Sequence, residues 1–228
     1  MANKKFKLTN ETINFFGKTL FRIKALMDFG DVETGELGGF VEKEENLDTN
    51  GNAWVSGNAR VYENARVYEN AQVYGNARVY ENAWVSGNAR VYGNAWVSGN
   101  ACVSGNAQVY GDARVYENAR VYGNAWVSGN ARVYENARVY ENAQVYGDAW
   151  LSGNAQVYED GDYTTIKGFG TEFRTTTFFR CKDKKIRVVC GCFYGTIDEF
   201  REQVKKTREG KIAKEYLMIA DLMEEHFK

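Results

Sequence analysis

Thiols and imidazoles are the side chains best suited to nucleophilic or metal chemistry, and this 228-residue sequence has few: four cysteines and one histidine. Cys181, Cys190 and Cys192 fall in a predicted hairpin, with strands at Glu172–Cys181 and Ile186–Phe193 turned at Lys182-Asp183-Lys184-Lys185. In that register Cys181 lies near Ile186, about 13 Å along the strand from Cys190. Cys190 and Cys192 are expected on one face, and two thiolates fall short of a zinc site. The three read as reduced thiols packed as small apolar groups. Cys102 is an isolated outward substitution in a repeat. His226 sits at the end of a predicted helix, where a cation favours the helix dipole and needs no catalytic role. Lys182, Lys184, Lys185 and Arg187 read as a solvated hairpin rather than a phosphate site. The sequence has no nucleophile elbow, phosphate-binding loop or dinucleotide fingerprint. No catalytic residue, metal or cofactor is expected.

What recurs instead is arginine beside tyrosine and tryptophan, and a repeat places them. Eighteen hexapeptides run from Asn52 to Glu159, nearly all reading Asn-Ala-x-Val-x-x. Ala and Val are two positions apart, so in a strand both point to one side, which must be the interior. The residue between them and the residue after Val point outward. The remaining pair, Gly-Asn or Glu-Asn with Asp112 and Asp148 as variants, suits the left-handed backbone of a corner. A fixed short period of this kind predicts a β-solenoid. Three hexapeptides per coil agree with the column Gly57, Gly75, Gly93, Gly111, Gly129 and Gly147, spaced by 18. They agree also with the identity of residues 54–75 and 126–147, offset by 72, or four whole coils.

The outward positions obey a rule. Where the residue before Val (Leu at 151) is Trp (54, 84, 96, 126, 150), the second residue on is Ser; where it is Arg or Gln, that second residue is Tyr. Each hexapeptide thus displays one large ring, except the one carrying Cys102. One expected column holds Arg60, Arg78, Trp96, Arg114, Arg132 and Trp150. Two readings stand: the rings only stack along each column, or this column is a recognition surface, since Tyr, Trp and Arg are enriched at interaction hot spots.

Charge narrows the partners. The sequence carries a net charge of −1, with eight arginines in the repeats against seven glutamates and two aspartates. Each repeat arginine is expected to have a corner glutamate near it, Glu63 for Arg60. That balance disfavours duplex nucleic acid, which needs unbalanced positive charge. No stretch approaches a membrane span, and Met1-Ala2-Asn3-Lys4-Lys5 leads into no apolar signal core. With free thiols, this predicts a cytoplasmic protein in a bacterial host cell.

The spacing Val-x-x-x-Ala-x resembles the hexapeptide-repeat, left-handed parallel β-helix family, over about 110 residues. The left hand comes from that resemblance. Tyr or Ser stands after Val here, where the family often has Gly. The segment Leu20 through Asp28-Phe29-Gly30-Asp31-Val32 to Gly38-Gly39-Phe40-Val41 resembles the start of YdcK-like bacterial hexapeptide-repeat proteins, often labelled transferases without a demonstrated reaction. The string Gly191-Cys192-Phe193-Tyr194-Gly195-Thr196, with Glu199-Phe200, Val204 and Thr207, resembles a small C-terminal module of phage and prophage proteins. Hexapeptide acyltransferases use a histidine base between protomers, and β-helical carbonic anhydrases hold zinc with three histidines. This chain has neither set.

The expected fold is mainly β: a left-handed parallel β-helix of about six coils of three hexapeptides, with a cap at each end. The N-terminal cap spans 1–51, with strands at Lys5–Thr9 and Thr19–Leu26. The β-helix spans 52–159, and a C-terminal α+β module, a hairpin plus two helices, spans 160–228. There Thr196-Ile197-Asp198-Glu199 opens one helix to about Arg208, Gly210 breaks it, and Ile212, Tyr216, Ile219, Met223 and Phe227 form the apolar stripe of a second. The expected function is a non-enzymatic binding scaffold of phage or prophage type, acting by protein–protein interaction, one version being an inhibitor of a host defence protein. The alternatives are an acyl- or acetyltransferase-like enzyme, or a sponge that sequesters a small signalling nucleotide. A homo-oligomer, dimer or trimer, is expected.

Overall fold

A computed structural model describes residues 4–228; Met1, Ala2 and Asn3, where the sequence predicts no signal core, lie outside the described residues. Each hexapeptide forms a two-residue strand, from Trp54–Val55 to Gln156–Val157. These strands stack in parallel as three sheets, each pairing in register with the strand 18 residues on, as in Arg60↔Arg78 and Trp96↔Arg114. The interior is as the pattern requires. Every repeat Ala and Val, and Leu151, is 0% exposed, so the prism is filled by one small and one branched side chain per strand.

The solenoid has about seven turns, one more than the repeat count. Leu37–Val41 pairs parallel with Arg60–Val61, and Leu47 bridges Val67, so an irregular turn precedes the first hexapeptide. Its register, Phe40↔Arg60, is offset by 20 residues rather than 18. Val41 and Leu47 fill the solenoid's apolar positions without its consensus, which hides the turn from a repeat count, while Phe40 takes the outward position in register with Arg60 and packs with Leu20 and Tyr62.

Hydrogen bonding gives the rod a direction. Arg60, Tyr62 and Asn64 amides donate to the carbonyls of Ala77, Val79 and Glu81 at 2.9, 3.1 and 2.8 Å, and later coils repeat this. The N-terminal end therefore presents carbonyls without donors and the C-terminal end amides without acceptors, and each must be satisfied. The N-terminal cap brings donors. Lys5 Nζ reaches the carbonyls of Ala53 at 2.8 Å and Gly51 at 3.3 Å, and Asn46 Nδ2 reaches Ala65 at 2.8 Å. The C-terminal side brings acceptors: Asp160 for the Gln144 amide at 2.8 Å, Thr177 Oγ1 for Trp150 at 3.1 Å, and the Tyr163 hydroxyl for Tyr146 at 3.3 Å.

Apolar plugs complete the caps. The antiparallel hairpin Phe6–Phe15/Lys18–Ala25 extends one face of the solenoid through Leu37–Val41, and Phe6, Ile23 and Ala25 join its core. Its first strand runs on to Phe15, well past Thr9 where the sequence pattern ends it. At the other end Tyr163, Phe179, Cys181 and Val189 close the core. They belong to a four-stranded antiparallel sheet of Tyr163–Ile166, Thr176–Arg180, Ile186–Cys190 and Phe193–Thr196. Helices α1 (Ile197–Thr207) and α2 (Gly210–His226) pack on it. Thr196 caps α1, accepting from the Glu199 amide at 3.2 Å, while the Glu199 carboxylate accepts from the Thr196 amide at 2.7 Å. Tyr216, Ile219, Met223 and Phe227 are buried along the α2 stripe. No helix among the described residues is long and apolar enough to cross a membrane.

Candidate functional site

The column Arg60, Arg78, Trp96, Arg114, Arg132 and Trp150 occupies one sheet in unbroken register. Within it two arginines precede each tryptophan. Arg78 and Arg114 lie 4.8 and 4.5 Å from the Trp96 ring centroid, one on each neighbouring rung, and Arg132 lies 4.5 Å from Trp150. The first two rungs are covered. Phe15, at the tip of the N-terminal hairpin, stands over Arg60 at 4.3 Å and Arg78 at 5.0 Å. Burial, then the neighbouring Arg78, hold the Arg60 guanidinium below its usual pKa. The open part of the column thus runs from Trp96 to Trp150. Phe15 lies beyond the strand that the sequence pattern predicts, and nothing local in Phe15-Phe16-Gly17 fixes where the hairpin tip lands.

Charge is distributed differently from the expectation. None of the eight repeat arginines is ion-paired to a carboxylate among the described residues; the ion pairs of the N-terminal region are Lys4–Glu44, Arg22–Glu11 and Lys18 with Glu42 and Glu63. The corner glutamates turn instead along the rod axis. Glu63 accepts from the Glu81 amide at 2.8 Å and Glu69 from the Gly87 amide at 2.5 Å, while Glu81 and Glu135 take the amides of Gly99 and Gly153. The reason is backbone geometry. The left-handed corner residue is the Glu or Gly, not the Asn, with φ of 61° at Glu63 and 64° at Gly57, and this leaves the glutamate side chain beside the amide of the next coil. The asparagines form their own ladders, such as Asn70–Asn88–Asn106 at 3.2 and 3.0 Å. In the all-glycine corner a Cβ on Gly93 would meet the Gly111 backbone at 3.0 Å, while one on Gly147, at the end of the column, would meet nothing within 4 Å.

The Trp–Ser and Arg–Tyr rule has a steric basis. Tyrosines stack face to face at the rung spacing, Tyr74–Tyr92–Tyr110 at 4.8 and 4.9 Å and Tyr116–Tyr134 at 5.1 Å. Where Trp precedes Val, the following Ser is shielded in three cases, Ser86, Ser98 and Ser152 all being buried. Burial pushes the Tyr116 phenol up to about 12. A shallow cleft of about 190 Å³ lies where Ser98 interrupts a tyrosine column, among Tyr80, Trp96, Arg114 and Tyr116, and a second of about 500 Å³ lies among Arg132, Trp150, Lys167 and Arg174.

One thiol, Cys192, is placed otherwise than predicted. The chain reverses at Gly191-Cys192, with Cys190 paired to Phe193, so Ile186–Phe193 is not one strand and Cys192 is an exposed turn residue. Gly191, with φ of 61°, supplies the turn that an alternation pattern does not reveal. Cys190 Sγ accepts from Thr176 Oγ1 at 3.2 Å. Cys181 is buried at the solenoid's end, and desolvation pushes its thiol up to about 11, away from reactivity. Cys102 stands between Trp84 and Arg120 in its sheet. Among the described residues no grouping of His, Cys, Asp and Glu could hold a metal ion. His226 is exposed at the end of α2, its ring 4.9 Å from that of Phe227.

No curated protein matches this sequence. The YdcK beta solenoid repeat model matches it in overlapping segments: 51–69, 71–87, 83–99, 107–123, 113–129, 119–134, 125–141 and 131–147. All of them fall on the parallel coils, so the rod is similar to a YdcK-type β-solenoid, and the likeness stops short of the Phe6–Ala25 hairpin and the C-terminal sheet and helices.

Proposed function

We propose that the chain is a non-enzymatic binding scaffold whose arginine–aromatic face, from Trp96 to Trp150, contacts a protein partner. The observation that carries this is the ladder itself: guanidinium groups held by rings and left without carboxylate partners on a flat parallel sheet. Such groups are already ordered and partly desolvated, so little entropy is lost when a partner's carboxylates and apolar side chains cover them. The corner glutamates keep the local field balanced, so affinity comes from buried rings and paired guanidinium groups rather than long-range charge.

The same reading includes self-association as a dimer or trimer and a cytoplasmic setting in a bacterial cell. The coil is read as left-handed on the hexapeptide-repeat resemblance, and a crystal structure reads the hand directly. A phage or prophage origin, with a host defence protein as the partner, rests on the likeness of the C-terminal module alone. The test is capture from a bacterial host lysate by the wild-type chain and by Trp96→Ala/Arg114→Gln, with sedimentation of both. A partner retained by the wild type through moderate salt and lost by the variant supports the proposal. Capture that is equal for both, or lost at low salt for both, overturns it. Micromolar acetyl-coenzyme A binding abolished by His226→Ala would favour the transferase reading instead.

A further inference from the structure

Past Trp150 the arginine–tryptophan column meets the C-terminal module, and a cleft of about 500 Å³ opens there, within the range of small-ligand sites. Trp96 has a guanidinium on both neighbouring rungs, Arg78 and Arg114, whereas Trp150 has only Arg132 among the described residues. Where the next arginine of the column would fall, the lining is Lys167, Phe173, Arg174 and Thr175. We infer that this cleft is a nucleotide site, taking an aromatic base against Trp150 and a phosphate on Arg174 and Lys167.

The balance of charge fits an anion. Arg132, Lys167 and Arg174 face one carboxylate, Asp148, which is already engaged by Lys167 at 2.7 Å and by Asn130 at 3.0 Å. Those bonds hold the Asp148 carboxyl below its usual pKa, so it stays ionised and fixes Lys167 at the rim. Arg174 has only a loose contact with Glu172, at 3.9 Å, and its side chain is half exposed, leaving a fork of donors free for a phosphate. Gly191 leaves room for the guanidinium: a Cβ there would meet Arg174 Nη1 at 2.6 Å and push it off the turn. Phe173, at a left-handed φ of 49°, leaves its ring 65% exposed at the cleft wall, where it adds a second aromatic surface to that of Trp150. A planar base needs a ring to stack on and a phosphate needs fixed cations, and the cleft offers both within one opening.

The site does not depend on the protein-binding reading, since Trp96→Ala/Arg114→Gln leaves its lining intact and should leave nucleotide binding unchanged. The experiment is calorimetric titration of the full chain with adenosine 5′-monophosphate, inorganic phosphate, and a 5′-phosphorylated ten-residue thymidine strand. One monophosphate per chain is expected, with phosphate alone much weaker. Arg174→Gln and Lys167→Gln, both at exposed positions, should each weaken binding about tenfold, what one charge-assisted hydrogen bond supplies. A strand that binds no tighter than the monophosphate identifies free nucleotide as the ligand, and a tighter, steeply salt-dependent strand identifies a strand end; either outcome upholds the site. No binding of either up to millimolar concentration, phosphate binding as tightly as the nucleotide, or affinity unchanged in both variants overturns it.

Discussion

Lys5→Met removes the donor that closes the N-terminal end of the rod. Lys5 is only 2% exposed, and its ammonium lies 2.8 Å from the Ala53 carbonyl, 3.3 Å from Gly51 and 3.5 Å from Asn50, with the Phe29 ring at 4.7 Å. Only the shortest of these is a strong bond, and a charged donor makes it worth about 1.5–3 kcal/mol. Methionine keeps the stem's packing and avoids burying a charge, which offsets most of the loss while the lysine is protonated; the full cost, about 2–3 kcal/mol, is reached at high pH, where the neutral amine still donates and the Ala53 carbonyl of the variant is left unpaired. A second signature is linkage. Burial pushes the Lys5 ammonium down to about 8 from 10.5. The folded pKa is below the unfolded one, so between these values the unfolded chain holds more protons and wild-type stability climbs with pH. Cys181, pushed up to about 11 from 9.0, gives the opposite slope above 9, but it does so in both proteins and cancels in their difference. Urea unfolding of wild type and Lys5→Met across pH 7 to 10.5, with amide exchange followed over 40–61, measures both effects. The variant should lie within about 1 kcal/mol of wild type at pH 7, exchange faster in the first turn, lack the rise between 8 and 10.5, and so fall about 2–3 kcal/mol below wild type by pH 10.5. Equal stability at pH 10.5 with parallel pH curves would refute the capping role.

Three further outcomes follow from the same geometry. Ala107→Leu, at a fully buried mid-rod position, should overpack the prism and cost about 1–3 kcal/mol in urea unfolding. Glu117→Gly should be neutral or slightly stabilising, because φ there is 59°, while Glu81→Gly should cost about 1 kcal/mol through loss of its bond to the Gly99 amide; paired thermal melts decide it. An aromatic disulfide reagent at pH 8 should label Cys192 at once and buried Cys181 only on unfolding, which peptide mapping of the labelled protein checks.

The hexapeptide was nearly sufficient for the rod because its two interior positions differ in kind from its four exterior ones, and period alone then fixes which residues share a column. Arg60 to Trp150 could be aligned by counting in eighteens. What counting could not supply was anything set by three-dimensional arrival. Phe15 reaches Arg60 only because a hairpin tip folds over the first coils. The glutamate carboxylates choose backbone amides over arginine because a left-handed corner aims them along the axis, a direction that composition cannot carry. Cys192 was misplaced because a two-residue turn at Gly191 interrupts what reads as an alternating strand. The cleft beside Trp150 joins residues 130–150 to 167–191, and no spacing rule links those segments.

The direction of the backbone bonds bears on how the rod can meet other molecules. A solenoid whose amides all donate toward its C-terminal end could in principle grow by adding another rod, amides of one meeting carbonyls of the next. Here the two ends are closed by unlike chemistry: the Lys5 ammonium and Asn46 amide take up carbonyls at one end, and Asp160, Thr177 and Tyr163 take up amides at the other. End-to-end stacking would have to displace these groups and bare the Phe6 and Phe179 plugs, exchanging satisfied bonds for equivalent ones at the cost of the apolar seal. The sides carry no such penalty. Their rings and guanidinium groups are held in place by one another, so a partner laid along Trp96, Arg114 and Arg132 disrupts nothing inside the rod.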